Sequence, residues 1–312
     1  MVGGAAAACS VGAGTTGVDE AGDDGPMDAA PSAHTRRVVA YLPNDAGSYS
    51  DWAARIDFSK MTHLNLAFAL ATTDGDWDMG ASDADVKALV DTAHAAGVKV
   101  LASLGGGDGD QTVIAQYQDA SQVPALVSNL DTFVSTHDFD GVDIDIEDPD
   151  NLGPGYTIFV DAVVARLRPG GKLITAAVAE DLQDGMQDAT LHELDFLNLM
   201  IYSDYSDSVS ELRYYTGTKH VPAGKLNLGA AFFGQDSDGN AYAYADLLAS
   251  DPTAWSKDET QHNGRTVTYT GVASMKQLAD YSKGYGGIMF WDLSQDSTVK
   301  ERSLYAAIQG QM

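Results

Sequence analysis

The chain has 312 residues, 44% of them hydrophobic, and 45 acidic against 18 basic side chains give it a formal net charge of -27. A chain this long can bury a large core, as one α/β barrel or as two smaller domains. Its charge excludes polyanionic partners such as nucleic acid or an anionic membrane surface, and suits an uncharged substrate or a salty medium.

Residues 1–36 are rich in Ala, Gly and Asp without periodicity, and read as a leader and linker. The single cysteine, Cys9, excludes an intrachain disulfide framework. Its surroundings, Ala5-Ala-Ala-Ala-Cys9-Ser10, resemble the end of a bacterial lipoprotein signal peptide, although the basic n-region is absent and the apolar run is short. An ordinary N-terminal tail is the other reading. The expectation is an extracellular or bacterial cell-surface protein, with Cys9 as a candidate lipid anchor. No run approaches the roughly 18 apolar residues of a transmembrane helix.

From Arg37 onward, short β-branched runs alternate with helical patterns. Strands are predicted at 38–42, 63–69, 98–104, 141–147, 173–179, 196–202, 226–233 and 287–292. Helices are predicted at 82–96, 122–136, 153–168, 207–217 and 273–284, with a last one near 299–309. Eight strands with intervening helices over about 275 residues match an α/β fold of the (β/α)8, or TIM, barrel type, as a single domain over 37–312. A doubly wound sheet is the alternative, but no G-x-G-x-x-G follows the first strand. Active sites in such barrels lie at the C-terminal ends of the strands, where Ser103–Gly107, Glu147, Tyr202 and Trp291 all fall.

The fourth strand carries Phe139-Asp-Gly-Val-Asp-Ile-Asp-Ile-Glu147. Residues two apart share a strand face, so Asp143, Asp145 and Glu147 line one side, with Ile144 and Ile146 on the other. Carboxylates about 7 Å apart raise one another's pKa values. A glycosidase needs that, because its acid must keep a proton near neutrality. Asp140 has the opposite parity and reads as a structural residue at the strand's start. With 38 Asp and 7 Glu in the chain, D-x-x-D-x-D-x-E arises by chance in roughly one such sequence in a hundred. The competing readings are a solvated acidic face and a calcium loop. An EF-hand requires Gly at its sixth position, where Asp148 stands. Gly105-Gly-Gly-Asp-Gly109 lacks the G-K-[ST] ending of a phosphate loop, and the histidines are scattered without ligand spacing.

Asp140-Gly-Val-Asp-Ile-Asp-Ile-Glu147 resembles the D-G-x-D-x-D-x-E signature of glycoside hydrolase family 18, the chitinases and endo-β-N-acetylglucosaminidases. Ser103-Leu-Gly105-Gly106 is similar to the family's S-x-G-G, Met200-Ile-Tyr202 to its M-x-Y, and Gly286–Trp291 to its strand-eight segment, so the resemblance covers about residues 37–310. It implies substrate-assisted catalysis with retention of configuration. Glu147 protonates the glycosidic oxygen while the sugar's 2-acetamido carbonyl attacks the anomeric carbon. Asp145 holds the acetamide N–H and shares a proton with Asp143, and Tyr202 meets the acetamide carbonyl. Trp291 floors the sugar, Phe68 and Met200 join it as substrate-binding candidates, and Tyr41 and Ser103 satisfy Asp143. Gly105 and Gly106 permit a tight turn. No metal or organic cofactor is required, and a monomer acting on chitin or an N-acetylglucosamine oligosaccharide is expected.

There is one departure. The family follows M-x-Y with Asp, whereas this chain has Ser203 and then Asp204. The spacer Gly234 to Gly286 is too short for a large α+β insertion plus a helix, which implies an open groove and endo cleavage. An N-glycan-core endo-β-N-acetylglucosaminidase is the nearest rival. A sugar-binding protein without catalysis is another, although Asp143, Asp145 and Glu147 all remain.

Overall fold

The computed structural model describes residues 36–179, 182, 185–202 and 205–312; the leader with Cys9, and Ser203 with Asp204, lie outside these residues. The strands in the first half are β1 (Arg37–Pro43), β2 (His63–Ala71), β3 (Trp77–Asp78), β4 (Lys99–Gly105) and β5 (Gly141–Asp145). There follow β6 (Leu173–Val178), β7 (Leu197–Leu199), β8 (Leu226–Ala231), β9 (Phe233–Asp236) and β10 (Ala241–Ala243). The last are β11 (Glu259–His262), β12 (Arg265–Thr268) and β13 (Gly287–Trp291). The helices are α1 (Tyr49–Ala53), α2 (Asp83–Ala95), α3 (Gln111–Tyr117), α4 (Val123–Thr136) and α5 (Pro154–Leu167). The second half adds α6 (Asp188–Glu193), α7 (Tyr205–Arg213), α8 (Tyr244–Ser250), α9 (Val272–Tyr281) and α10 (Leu304–Gln309).

Eight parallel strands, β1, β2, β4, β5, β6, β7, β8 and β13, form one continuous ladder. It closes because β1 pairs with β2 on one side and β13 on the other. The predicted (β/α)8 barrel is the observed fold.

Closure splits each strand's side chains between two apolar compartments. Val142, Ile144 and Ile146 face the helices in the larger core. Val39, Tyr41, Ala67, Phe196 and Met289 fill the barrel interior. The helices answer with one apolar stripe each. In α2, Val86, Leu89, Val90 and Ala93 recur at helical spacing, and the Ser82 hydroxyl caps the start by accepting from the Asp85 N–H.

The bottom of the barrel is plugged. The Arg37 guanidinium lies 4.5 Å from the Phe196 ring centroid, and its Nε donates to Asn227 Oδ1 at 3.0 Å. His63 packs edge-on against Phe196 at 5.0 Å, and burial pushes the imidazole pKa down to about 3.

Asp140 ties two layers together. Its Oδ2 accepts from the Val100 N–H at 2.8 Å and lies 2.9 Å from His94 Nε2, which pins α2 and β4 to the start of β5. Asp140→Ala strands that N–H and should cost about 1–3 kcal/mol, whereas Asp140→Asn, which keeps an acceptor, should cost less. Urea denaturation midpoints measure the difference.

Several predicted boundaries move, three of them near the site. β5 ends at Asp145 and β7 at Leu199, so Glu147 and Tyr202 stand in the loops just beyond their strands. The predicted helix 207–217 is α7 followed by a π-helical turn, Tyr214–Thr218. Between β8 and β13 there is no large insertion, yet the spacer holds a small antiparallel sheet, ordered β10-β9-β12-β11, as well as α8 and α9. Its strands run three or four residues. Asp236 fastens it, accepting from the Asp238 and Asn240 N–H groups, the Tyr242 hydroxyl and Arg265 Nη1.

Candidate active site

The column of acids rises through the barrel interior on β5. Asp143 is fully buried at mid-height and Asp145 lies one layer above it. Register places Ser103 beside Asp143 on one flank and Thr175 on the other. Both Asp143 oxygens are doubly bonded by donors. Oδ1 accepts from Thr175 Oγ1 at 2.5 Å and Asn198 Nδ2 at 3.1 Å. Oδ2 accepts from the Tyr41 hydroxyl at 2.7 Å and Ser103 Oγ at 3.0 Å. Tyr41 keeps its proton for this bond, because burial and then the charges of Asp143 and Asp145 raise its pKa well above the ordinary phenol value.

Burial raises Asp143, and the four donors pull it back. Burial also raises Asp145, reinforced by the charges of Glu147, Asp143 and Asp110. Among the described residues Asp145 has no comparable set of donors, and its Oδ1 is buried without a hydrogen bond. The two carboxyls therefore stand in unlike surroundings, Asp143 ringed by donors and Asp145 open to one, and titrate as a coupled pair.

Glu147 is half-buried at the mouth. The loop after β4 holds it: the Gly107 N–H donates to Glu147 Oε1 at 2.9 Å, and the Gly106 N–H donates to the Asp145 carbonyl at 2.8 Å. That loop needs its glycines. Gly105 and Gly106 have φ of 98° and 84°, and a Cβ on Gly106 would run into the Phe68 ring.

Around the acids stands an aromatic wall. Trp291 stacks on Phe68 with centroids 5.4 Å apart and planes 19° apart, and tilts against Tyr41 at 5.7 Å. Tyr202 meets Phe233 edge-on at 5.4 Å, and Met200 packs between the interior cluster and the outer core. The structure thus gathers Glu147, Asp145, Asp143, Tyr41, Ser103, Phe68, Met200, Tyr202 and Trp291 in the barrel interior and at its mouth. Asp140 stays apart at the base of β5. A carboxyl above buried acids, beside a flat aromatic surface, has the placement that proton delivery to a bound sugar requires.

A family model for glycosyl hydrolases family 18 matches residues 37–296. The chain belongs to that family. Among solved structures, the family 18 chitinase ChiB of Flavobacterium johnsoniae superposes with a TM-score of 0.79 at 26% identity, covering 88% of this chain and 93% of that one. An Ostrinia furnacalis Group II chitinase domain, solved with penta-N-acetylchitooctaose, gives 0.75 at 18% identity, covering 89% and 97%. A chitinase-like effector of Moniliophthora roreri is 33% identical over 117 residues, 37% of this chain and 29% of the relative. The chain spans less than a third of the curated relatives it matches.

Two members of this family 18 site were not singled out in the sequence. Thr175 and Asn198 both bond Asp143, and each is a polar residue alone in an apolar strand, Leu173–Val178 and Phe196–Met200. Such a residue, at the parity of the barrel interior, is the signal that finds them. Asp110 gives no such signal, lying inside a Gly- and Asp-rich run that reads as a turn.

Proposed function

We propose that the protein is a retaining glycoside hydrolase that cleaves β-1,4-linked N-acetylglucosamine by substrate-assisted catalysis, an endo-acting chitinase working outside the cell or at its surface. The observation that carries the reading is the column itself: Asp143 and Asp145 inside the barrel, and Glu147 above them at the mouth.

Glu147 donates its proton to the glycosidic oxygen. The substrate's own acetamide carbonyl closes on the anomeric carbon, so no second enzymic nucleophile is needed. Asp145, whose Oδ1 makes no hydrogen bond, accepts the acetamide N–H and offsets the charge of the cyclic intermediate. Tyr202 contacts the acetamide carbonyl. Trp291 and Phe68 support the apolar face of the ring. Water then attacks with Glu147 as base, which restores the original configuration.

The experiment sets chitin oligomers against a high-mannose glycoprotein. Release of short N-acetylglucosamine oligomers from the former supports the reading. Cleavage of the glycoprotein alone makes the protein an endo-β-N-acetylglucosaminidase, and exclusive disaccharide release from chain ends removes the endo assignment.

A second reading has a specific motive, the relatives named chitinase-like effector. In that reading the barrel binds chitin oligosaccharide without cutting it. Retention of Asp143, Asp145 and Glu147 together weighs against it, and binding without product in the same assay would establish it.

A further inference from the structure

Asp110 closes the short 3-10 turn Gly107–Asp110 and is 1% exposed. Its Oδ2 accepts from the main-chain N–H of Glu147 at 2.5 Å. That N–H belongs to no strand, because β5 ends two residues earlier, at Asp145. Its Oδ1 is buried where a Cβ on Gly105 would otherwise stand, and the Gly106 N–H also acts on the carboxyl. A carboxyl this deep carries a burial cost that main-chain donors only partly offset.

We propose that Asp110 is the positioning residue of the catalytic acid: its carboxyl fixes the Glu147 main chain from the turn that follows β4. The inference rests on the hydrolase reading for the role it gives Glu147. Glu147 is then oriented from two sides by one turn, through Gly107 at its carboxyl and Asp110 at its backbone.

The electrostatics run the same way. Burial, helped by the charge on Glu147, raises the Asp110 pKa to about 7 against the pull of the Glu147 and Gly106 N–H groups. The groups coupled to it are Asp145, Glu147 and Asp148 on β5 and its following loop, Tyr117 on α3 and Tyr156 on α5, none of them basic. An ionised Asp110 therefore disfavours loss of the catalytic proton.

Wild type, Asp110→Ala and Asp110→Asn are compared on an N-acetylated chitooligosaccharide from acid to alkaline pH. Asp110→Ala is expected to lower kcat about 10–100-fold with little change in KM, because a misoriented acid loses rate and not binding. Asp110→Asn, which keeps an acceptor for the Glu147 N–H, recovers most of that kcat. It also moves the alkaline limb of kcat/KM to lower pH, by on the order of one unit. Wild-type kcat in Asp110→Ala, or a wild-type pH profile in Asp110→Asn, overturns the proposal. Hydrogen exchange supplies a readout free of activity: the Glu147 amide is protected in wild type and Asp110→Asn, and exposed in Asp110→Ala. Equal exchange in all three overturns the positioning role whether or not the wild type cleaves. An inert wild type with the amide protected only where the acceptor remains sinks the hydrolase reading alone.

Discussion

Glu147→Gln is expected to lower turnover about a thousandfold while leaving oligosaccharide affinity close to that of the wild type. The amide has the same shape, and its oxygen can accept from the Gly107 N–H as Glu147 Oε1 does at 2.9 Å. It has no acidic proton to give the glycosidic oxygen. The aromatic surface formed by Trp291 and Phe68 is untouched. Steady-state kinetics with calorimetric titration of the same oligosaccharide separates the two effects. Unchanged turnover would remove Glu147 from the mechanism and, with it, the chemistry proposed for the column.

The second large effect lies deeper. Asp143→Ala takes away the acceptor of Tyr41, Ser103, Thr175 and Asn198 at once, in a place water does not reach. Each stranded donor costs roughly 1–3 kcal/mol, and the losses overlap because the four share one cavity. A total of about 3–6 kcal/mol is expected, a large part of the stability of an ordinary domain. Denaturant unfolding should show a markedly lower midpoint. A stability within about 1 kcal/mol of the wild type would mean that the donors find other partners.

Alternation made the heart of this site legible. Asp143 and Asp145, separated by Ile144, can only divide between the two faces of a strand, and the structure puts the acids inside and the isoleucine against the helices. Eight β-branched runs gave the barrel for the same reason. Less could be read where position depends on a neighbour. The strand predicted to carry Glu147 stops at Asp145, because from there the backbone bonds to the β4 loop in place of a flanking strand. That loop is 37 residues away in the chain, a distance at which local pattern says nothing. The small sheet β9 to β12 escaped for another reason, since strands of three or four residues are too short to show a period. Asn198 illustrates a third limit. Its amide bonds Tyr41, Asp143 and Asn227, and only barrel closure brings those strands together.

Beneath the acids, Arg37, His63 and Phe196 pack across the foot of the barrel. Arg37 reaches Asn227, Asn227 reaches Asn198, and Asn198 reaches Asp143, a line of neutral amides that begins at a cation. A positive group at the foot repels incoming hydrons, and amides relay them poorly. Traffic to and from the buried carboxyls is therefore expected from above, past Asp145 and Glu147, so that a sugar bound as proposed would also act as the stopper that isolates their charge from bulk water.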